Sequence, residues 1–129
     1  MLLHTACVLA NPPMLEAPFA RVTDSVIGAD RAMSITPAWG DYDNDGWLDL
    51  FISNTGNKAS NWLFRNNRDG TFTQITDGPL VTDFSASPFG AAWGDFNNDG
   101  WLDIAVTSHT GSEANRLYRN DAGTFSRVQ

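Results

Sequence analysis

Two nearly identical stretches dominate this sequence: Ala38-Trp-Gly-Asp-Tyr-Asp-Asn-Asp-Gly-Trp-Leu-Asp-Leu50 and, 54 positions later, Ala92-Trp-Gly-Asp-Phe-Asn-Asn-Asp-Gly-Trp-Leu-Asp-Ile104. The similarity continues downstream, where Asn61-Trp-Leu-Phe-Arg-Asn66 is answered by Asn115-Arg-Leu-Tyr-Arg-Asn120. A repeat of this length is typical of propellers, solenoids and arrays, in which one unit cannot bury its apolar face alone. The sequence therefore predicts two copies of one structural unit.

A partial third copy lies upstream. Phe19-Ala-Arg-Val-Thr-Asp24 resembles Phe72-Thr-Gln-Ile-Thr-Asp77, which predicts a surplus strand over Phe19 to Thr23. We therefore divide the chain into three parts: an N-terminal tail or signal remnant over 1–18, the surplus strand with the first unit over 19–76, and the second unit over 77–129.

The first residues carry little information. Leu2 to Ala10 is mildly apolar, but it lacks the positive n-region of a secretory signal and is too short to span a membrane. A remnant of an export signal, a start placed too early and a disordered tail all fit it. Cys7 is the single cysteine, so no intrachain disulfide can form.

Each unit contains four candidate strands, and no stretch has sustained helical periodicity. An apolar run follows the repeated Gly-containing loop at Leu48–Ser53 and again at Asp103–Ser108, which suits a strand buried on both faces. An antiparallel hairpin is predicted next, with its turn at Asn67-Arg-Asp-Gly70. The remaining strands of the first unit are predicted at Thr36–Gly40, Asn61–Asn66 and Thr71–Thr76.

The repeated stretch encloses an acidic loop, Asp41-Tyr-Asp-Asn-Asp-Gly-Trp-Leu-Asp49, with carboxylates at loop positions 1, 3, 5 and 9. Calcium takes about six to eight oxygen ligands, and a tight loop converges side chains from alternate positions. Gly46 permits the sharp bend, and the carbonyl of Trp47 adds a main-chain oxygen. We predict a calcium site with the ligands Asp41, Asp43, Asp45, Trp47 and Asp49.

The second loop repeats this pattern with one change: an amide, Asn97, replaces the carboxylate of Asp43. Both oxygen types can ligate calcium, but the second site sets one negative charge fewer against the ion and should bind it more weakly. Its predicted ligands are Asp95, Asn97, Asp99, Trp101 through its carbonyl, and Asp103. The cofactor prediction is therefore two calcium ions.

The alternative for both loops is a set of metal-free turns, because Asp, Asn and Gly favour such turns on their own. Four carboxylates gathered without a cation would repel one another, and the pattern occurs twice, so we favour the metal. Magnesium is disfavoured, because a loop with this many protein oxygens suits the larger, less strictly octahedral ion.

The charge balance argues against a nucleic-acid partner. The chain of 129 residues has a formal net charge of -7 and only eight Lys and Arg residues. Phosphate binding needs clustered basic side chains, which this composition does not supply. No membrane span is expected either, so the acidic residues point to a cation as the ligand.

The Trp-Gly-Asp-x-Asx-x-Asp-Gly-x-x-Asp motif and the following Asn-x-Leu-aromatic-Arg-Asn resemble the FG-GAP and VCBS repeats. These are calcium-binding blades of the integrin α-subunit β-propeller and of many secreted bacterial proteins. The resemblance covers about residues 19 to 129. It implies an all-β chain of two four-stranded antiparallel propeller blades, a partial propeller with calcium-binding hairpin loops, and it implies the same carboxylate and amide ligands.

The blade number departs from that family. Propellers usually close with about four to eight blades, and two blades cannot close a ring. Either the sequence belongs to a longer protein or several copies assemble, with three chains making six blades or four making eight. Whether copies form a ring or a filament depends on whether the rotation between them closes.

The tryptophans divide into two groups. Trp39, Trp47, Trp93 and Trp101 occupy equivalent places, which predicts core packing between blades. Trp62 is answered by Arg116, so the repeat does not demand it, and we consider it a candidate sugar-stacking residue.

No catalytic residues are predicted, because the histidines have no repeated nucleophile beside them and the carboxylates are assigned to metal. We expect a non-enzymatic, extracellular or cell-surface calcium-binding module for adhesion or self-assembly. Its expected partners are copies of itself or the rest of a longer propeller, and a glycan or cell-surface protein. The rival hypotheses are a lectin-like carbohydrate-binding propeller and a non-catalytic part of a larger secreted polysaccharide-active enzyme.

Overall fold

The computed structural model describes residues 19–23, 25–29, 32–56, 59–83, 88–109 and 114–128, so the predicted tail over 1–18 lies outside the described residues. Two four-stranded sheets make up the structure, and in each one consecutive strands pair antiparallel. The first sheet consists of β1 (Met33–Gly40), β2 (Asp49–Thr55), β3 (Trp62–Asn66) and β4 (Phe72–Ile75). The second consists of β5 (Pro88–Gly94), β6 (Asp103–Ser108), β7 (Arg116–Asp121) and β8 (Thr124–Val128).

This confirms the all-β prediction of two four-stranded antiparallel sheets. The clearest difference in bounds is at β1, which begins at Met33 instead of Thr36. Met33 and Ser34 still pair with the end of β2, beyond an irregularity in register between Ser34 and Thr36. A register shift of this kind leaves no signal in the alternation of side chains, so the sequence pattern starts the strand too late.

The hairpin between β3 and β4 turns where the sequence predicts it. Asn67 N–H donates to the carbonyl of Thr71 at 3.0 Å, and Gly70 has a φ of 88°. Such a dihedral is available to glycine at no steric cost, which is why the turn carries Asp-Gly.

Each sheet has two faces, which we name by chain direction: the leading face is turned toward the preceding unit and the trailing face toward the following one. The second sheet packs its leading face on the trailing face of the first, and the two together form the main apolar core. On the leading faces lie Trp39, Leu50, Ile52, Phe64 and Phe72, and their equivalents Trp93, Ile104, Val106, Tyr118 and Phe125. On the trailing faces lie Gly40, Tyr42, Phe51, Leu63 and Ile75, and their equivalents Gly94, Phe96, Ala105, Leu117 and Val128.

A short helix, α1 (Pro79–Thr82), connects the sheets and inserts Leu80 and Val81 into the core between them. A single 3-10 turn over Val26–Gly28 occupies the matching place on the leading face of the first sheet. There Val26 and Ile27 pack against the buried cluster of Leu50, Ile52 and Phe64. The 3-10 turn is therefore the first sheet's counterpart of α1.

The prediction of a surplus strand over Phe19 to Thr23 is wrong. These residues form no strand, and Phe19 is 88% exposed. The counterparts of this stretch, β4 and β8, pair with β3 and β7 of their own sheets, whereas no described strand pairs with the stretch itself.

The two predictions of strands buried on both faces had different outcomes. All but the last residue of β2 are buried, which confirms the prediction for the first unit. In β6, by contrast, Ala105 is exposed, so the prediction fails on one face of this strand. Ala105 lies on the trailing face of the second sheet, and no third sheet packs against that face among the described residues.

The repeated tryptophans do not share one environment. Trp93 packs against the main core, whereas Trp39 is 52% and Trp47 49% exposed, so the prediction of core packing is wrong for these two. Trp39 lies on a leading face against which no described sheet packs, and Trp47 lies in the acidic loop outside the strands. Burial of an equivalent residue depends on its neighbours in space as well as on its place in the repeat.

Candidate metal centre

The first acidic loop joins the end of β1 to the start of β2. Its bend includes two left-handed residues, Asn44 with a φ of 55° and Gly46 with a φ of 89°. The bend brings oxygens of three predicted ligands within 4.8 Å of one another, namely those of Asp41, Asp43 and Asp49. Converging carboxylate oxygens are the ligand chemistry that calcium prefers.

Backbone N–H groups hold two of these carboxylates in place. Asp41 accepts from the N–H groups of Asp45 and Gly46, both at 2.9 Å. Asp49 is fully buried and accepts from the N–H groups of Asn66 at 2.8 Å and Tyr42 at 3.2 Å. Burial raises the pKa of Asp49 to about 6, although both hydrogen bonds act in the opposite direction.

Asp43 differs from its neighbours, because its Oδ1 is buried and has no hydrogen-bond partner in the described part of the chain. Burial raises the pKa of Asp43, and the nearby charges of Asp45 and Asp41 raise it further. A buried carboxylate oxygen without a partner is energetically costly, and a cation is the ligand that removes this cost. The donor set of this loop therefore fits calcium.

Asp45 is engaged by a residue that was not predicted. Arg68, in the turn between β3 and β4, donates from Nε at 3.0 Å and from Nη2 at 2.9 Å to Asp45 Oδ2. The other oxygen of Asp45 accepts from the N–H of Trp47 at 2.9 Å. Desolvation raises the pKa of Asp45, but these hydrogen bonds outweigh it, and the pKa is lowered overall.

The second loop has the same backbone frame. Asn98 and Gly100 are left-handed, with φ of 58° and 90°. Asp95 accepts from the N–H of Gly100 at 2.9 Å, and the buried Asp103 accepts from the N–H groups of Asn120 at 2.7 Å and Phe96 at 3.1 Å. Each contact matches one in the first loop.

The second loop differs at Asn97. Its Nδ2 donates to Asp99 Oδ2 at 2.7 Å, and its Oδ1 accepts from the N–H of Asp99 at 3.1 Å. Asp99 also accepts from the N–H of Trp101 at 2.9 Å. The amide therefore satisfies hydrogen bonds within the loop, whereas Asp43 leaves one oxygen without a partner.

Two residues outside the loops organise the buried carboxylates, and sequence analysis did not assign them that role. Asn66 and Asn120 each offer the backbone N–H to the last Asp of the loop, and their side-chain Nδ2 donates to the carbonyls of Leu48 at 3.1 Å and Leu102 at 3.0 Å. Their signal is the final Asn of the repeated Asn-x-Leu-aromatic-Arg-Asn motif. Arg68 has no such signal, because Arg68 does not recur in the second unit.

Trp62, the candidate sugar-stacking residue, is half-buried on β3. Its ring packs against that of Phe64 at a centroid distance of 6.1 Å. A shallow groove beside it is lined by polar side chains, among them Asn61, Gln74 and Thr76.

In the described residues the longest helix has four residues, and none is long and apolar enough to cross a membrane. The sequence profile of FG-GAP-like repeats matches residues 41–106 and 95–129, so it includes both acidic loops. Cartilage acidic protein 1 of Xenopus tropicalis is 35% identical over 80 residues, which is 62% of this chain and 12% of that protein. No solved structure matches the chain significantly. With the profile spanning well over half of the sequence, the chain belongs to the FG-GAP-like repeat family, and its two sheets are two blades of the propeller type.

Proposed function

We propose that the chain is an extracellular, non-enzymatic calcium-binding module for adhesion or self-assembly. The observation that carries the proposal is the buried Asp43 Oδ1, which lacks a hydrogen-bond partner among the described residues and lies beside the carboxylates of Asp41 and Asp49. A divalent cation would compensate the charge that this loop gathers.

Two calcium ions are proposed, one in each loop. The first would be held by the carboxylates of the first loop and the carbonyl of Trp47, and the second by the equivalent groups with Asn97 as a neutral ligand. Bound calcium would neutralise the loop charge and fix the connection between the first two strands of each blade. The ion would thereby stabilise the folded blade, because it binds the native loop and not the unfolded chain.

The proposed location outside the cell rests on two supports. The first is the relative, cartilage acidic protein 1, which is named for cartilage. The match covers only 12% of that protein, so what the whole protein does is only proposed for this chain. Extracellular calcium modules bind at about 10⁻⁴ to 10⁻³ M, a range that suits loops as exposed as these. Partners would be a cell-surface protein or a longer propeller, and not nucleic acid, given the net charge of -7.

The test is calorimetric titration with calcium of the unaltered chain and of Asp43→Asn, which removes one charge at nearly constant shape. Asp77→Asn is the matched control, because Asp77 is exposed and lies outside both loops. We expect Asp43→Asn to weaken the tighter of the two binding events to an affinity near that of the second loop, which already has Asn97, and Asp77→Asn to leave both events unchanged. A chain that binds no calcium, or an Asp43→Asn variant that binds as the control does, would contradict the proposal.

A glycan is the second candidate ligand, supported by the groove beside Trp62. An aromatic ring next to amide and hydroxyl side chains is the combination that carbohydrate sites use, since the ring stacks on a sugar face and the polar groups bond its hydroxyls. Screening the chain on a glycan array tests this role. If the Trp62→Ala variant binds the same glycans on the array as the unaltered chain, this groove is not the glycan site.

A further inference from the structure

The contact between the two blades has a simple central feature: Trp93 of the second blade lies on Gly40 of the first. A Cβ atom added to Gly40 would lie 2.7 Å from Trp93 Cδ1, so only glycine leaves room for the ring. The indole Nε1 donates to the carbonyl of Ala38 at 3.0 Å. The ring also stacks on Tyr42, with a centroid distance of 6.5 Å and an interplanar angle of 13°.

Two asparagine side chains add hydrogen bonds to this contact. Asn120 Nδ2 donates to the carbonyl of Tyr42 at 2.7 Å, and Asn44 Nδ2 donates to the carbonyl of Gly100 at 2.9 Å. At its centre the interface thus has one tryptophan on one glycine, surrounded by three hydrogen bonds to backbone carbonyls, and Thr36 on β1 adds a fourth.

The leading face of the first blade presents the same donors. Trp39, the equivalent of Trp93, is half-exposed and packs on Phe72 at a centroid distance of 6.1 Å. Trp93 packs on Phe125, the equivalent of Phe72, in nearly the same way at 6.0 Å. The outer tryptophan is therefore already held in the position from which the inner one docks.

The trailing face of the second blade presents the matching receptor. Gly94 is the equivalent of Gly40, and a Cβ atom added there would meet no described atom within 4 Å. A groove of about 290 Å³ lies over it, lined by Ala92, Phe96, Ala105 and Leu117 among others. Ala92, Gly94 and Phe96 correspond to the residues that receive Trp93.

We propose that this groove receives Trp39 of a second copy of the chain, so that copies associate head to tail. Trp39 Nε1 would donate to the carbonyl of Ala92, Asn66 Nδ2 to that of Phe96, and Asn98 Nδ2 to that of Gly46 on the other copy. The donors Trp93, Asn120 and Asn44 of the inner contact, and their acceptors, each have an equivalent on the two outer faces, and this continuity favours another copy of the chain as the occupant.

The proposal rests on the self-assembly part of the proposed function and supplies its contacts. Because a different surface is used on each copy, one joint leaves a free Trp39 at one end and a free groove at the other. Two sequence differences between the blades make the outer contact weaker than the inner one. Ala105 replaces Phe51, whose ring meets that of Trp93 edge-on at 6.3 Å, and Gly90 replaces Thr36, which donates to the carbonyl of Phe89 at 2.8 Å.

The stretch 19–23 lies next to the leading face and must give way in such a complex. Val22 lines a groove there together with Trp39 and Phe72, so a docking copy would have to displace it. Phe19 is largely exposed and the stretch pairs with no described strand, so displacing it costs few contacts.

Two substitutions test the proposal from opposite sides. Trp39→Ala removes the inserted ring, and Gly94→Val fills the groove where the folded chain has open space, so neither should prevent folding. At about 10 to 200 µM in calcium, we expect concentration-dependent association of the unaltered chain and at least ~30-fold weaker association of each variant by sedimentation velocity.

Mixing the two variants gives the decisive result. Trp39→Ala keeps an intact groove and Gly94→Val keeps an intact tryptophan, so the mixture should form a one-to-one dimer that grows no further. A monomeric unaltered chain, association that survives either substitution, or a mixture that stays monomeric would overturn the proposal. Calcium titration of the same samples separates the two ideas, because both variants should still bind calcium whether or not they associate.

Discussion

The two acidic loops share a backbone conformation and differ at one predicted ligand position, where Asp43 of the first is replaced by Asn97 in the second. In both, a buried Asp at the end of the loop accepts two backbone N–H groups, and the bend has left-handed residues at matching positions. In the first, Asp43 leaves a buried oxygen without a partner among the described residues, whereas in the second Asn97 bonds Asp99. The frame is thus a property of the repeat, whereas the buried oxygen without a partner is found, among the described residues, in the first loop alone.

The largest effect is expected from removing the buried aspartate at the end of each loop, which tests whether the two loops are held in place in the same way. Asp49→Ala and Asp103→Ala should each destabilise the calcium-free protein by roughly 3 kcal/mol, because each leaves two backbone N–H groups without acceptors. Urea unfolding in a chelator measures the loss. If the loss of unfolding free energy at one position is more than about twice that at the other, the two loop backbones are not equivalent.

Calcium itself should raise stability by a smaller amount. At a calcium concentration about tenfold above the dissociation constant, each occupied loop contributes ~1.4 kcal/mol. Thermal unfolding with calcium and with a chelator gives the comparison, and magnesium at the same concentration is the control. An unchanged midpoint would mean that the loops fold without needing the ion.

Replacing Asn97 by the aspartate of the first loop tests whether loop charge sets the calcium affinity. Asn97→Asp should strengthen binding in the second loop by about tenfold, because it restores the fourth carboxylate and removes the amide that bonds Asp99. Calorimetry should then resolve two sites of closer affinity. If Asn97→Asp leaves the weaker site unchanged, loop charge does not rank the sites.

The smallest effect is expected at Arg68, which pairs with Asp45 in the first loop. Arg68→Gln should raise calcium affinity there by no more than about fivefold, because an exposed ion pair contributes less than ~1 kcal/mol. Arg127→Gln is a control, because Arg127 lies on β8 and pairs with Asp83 at 3.9 Å instead of with a loop carboxylate. Reduced affinity in Arg68→Gln would mean that the arginine positions Asp45 for the ion.

Much of the candidate site could be predicted from the sequence. The carboxylates of Asp41, Asp43 and Asp49 converge because their spacing around Gly46 is local, and local spacing determines which side chains one bend brings together. Arg68 could not be predicted in the same way. It reaches Asp45 across 23 positions, and only the pairing of strands places its turn beside the loop.

The sequence by itself determined the repeat, the strand order within each unit and the carboxylate loops, because hydrophobic alternation, turn residues and ligand spacing all act over a few residues. The tertiary structure alone decided which equivalent residues are buried. Trp93 and Trp39 have the same neighbours in sequence, yet one lies on Gly40 in the core and the other is half-exposed. Burial requires a surface on the other side, and for Trp39 the described chain supplies only Val22 and a single 3-10 turn.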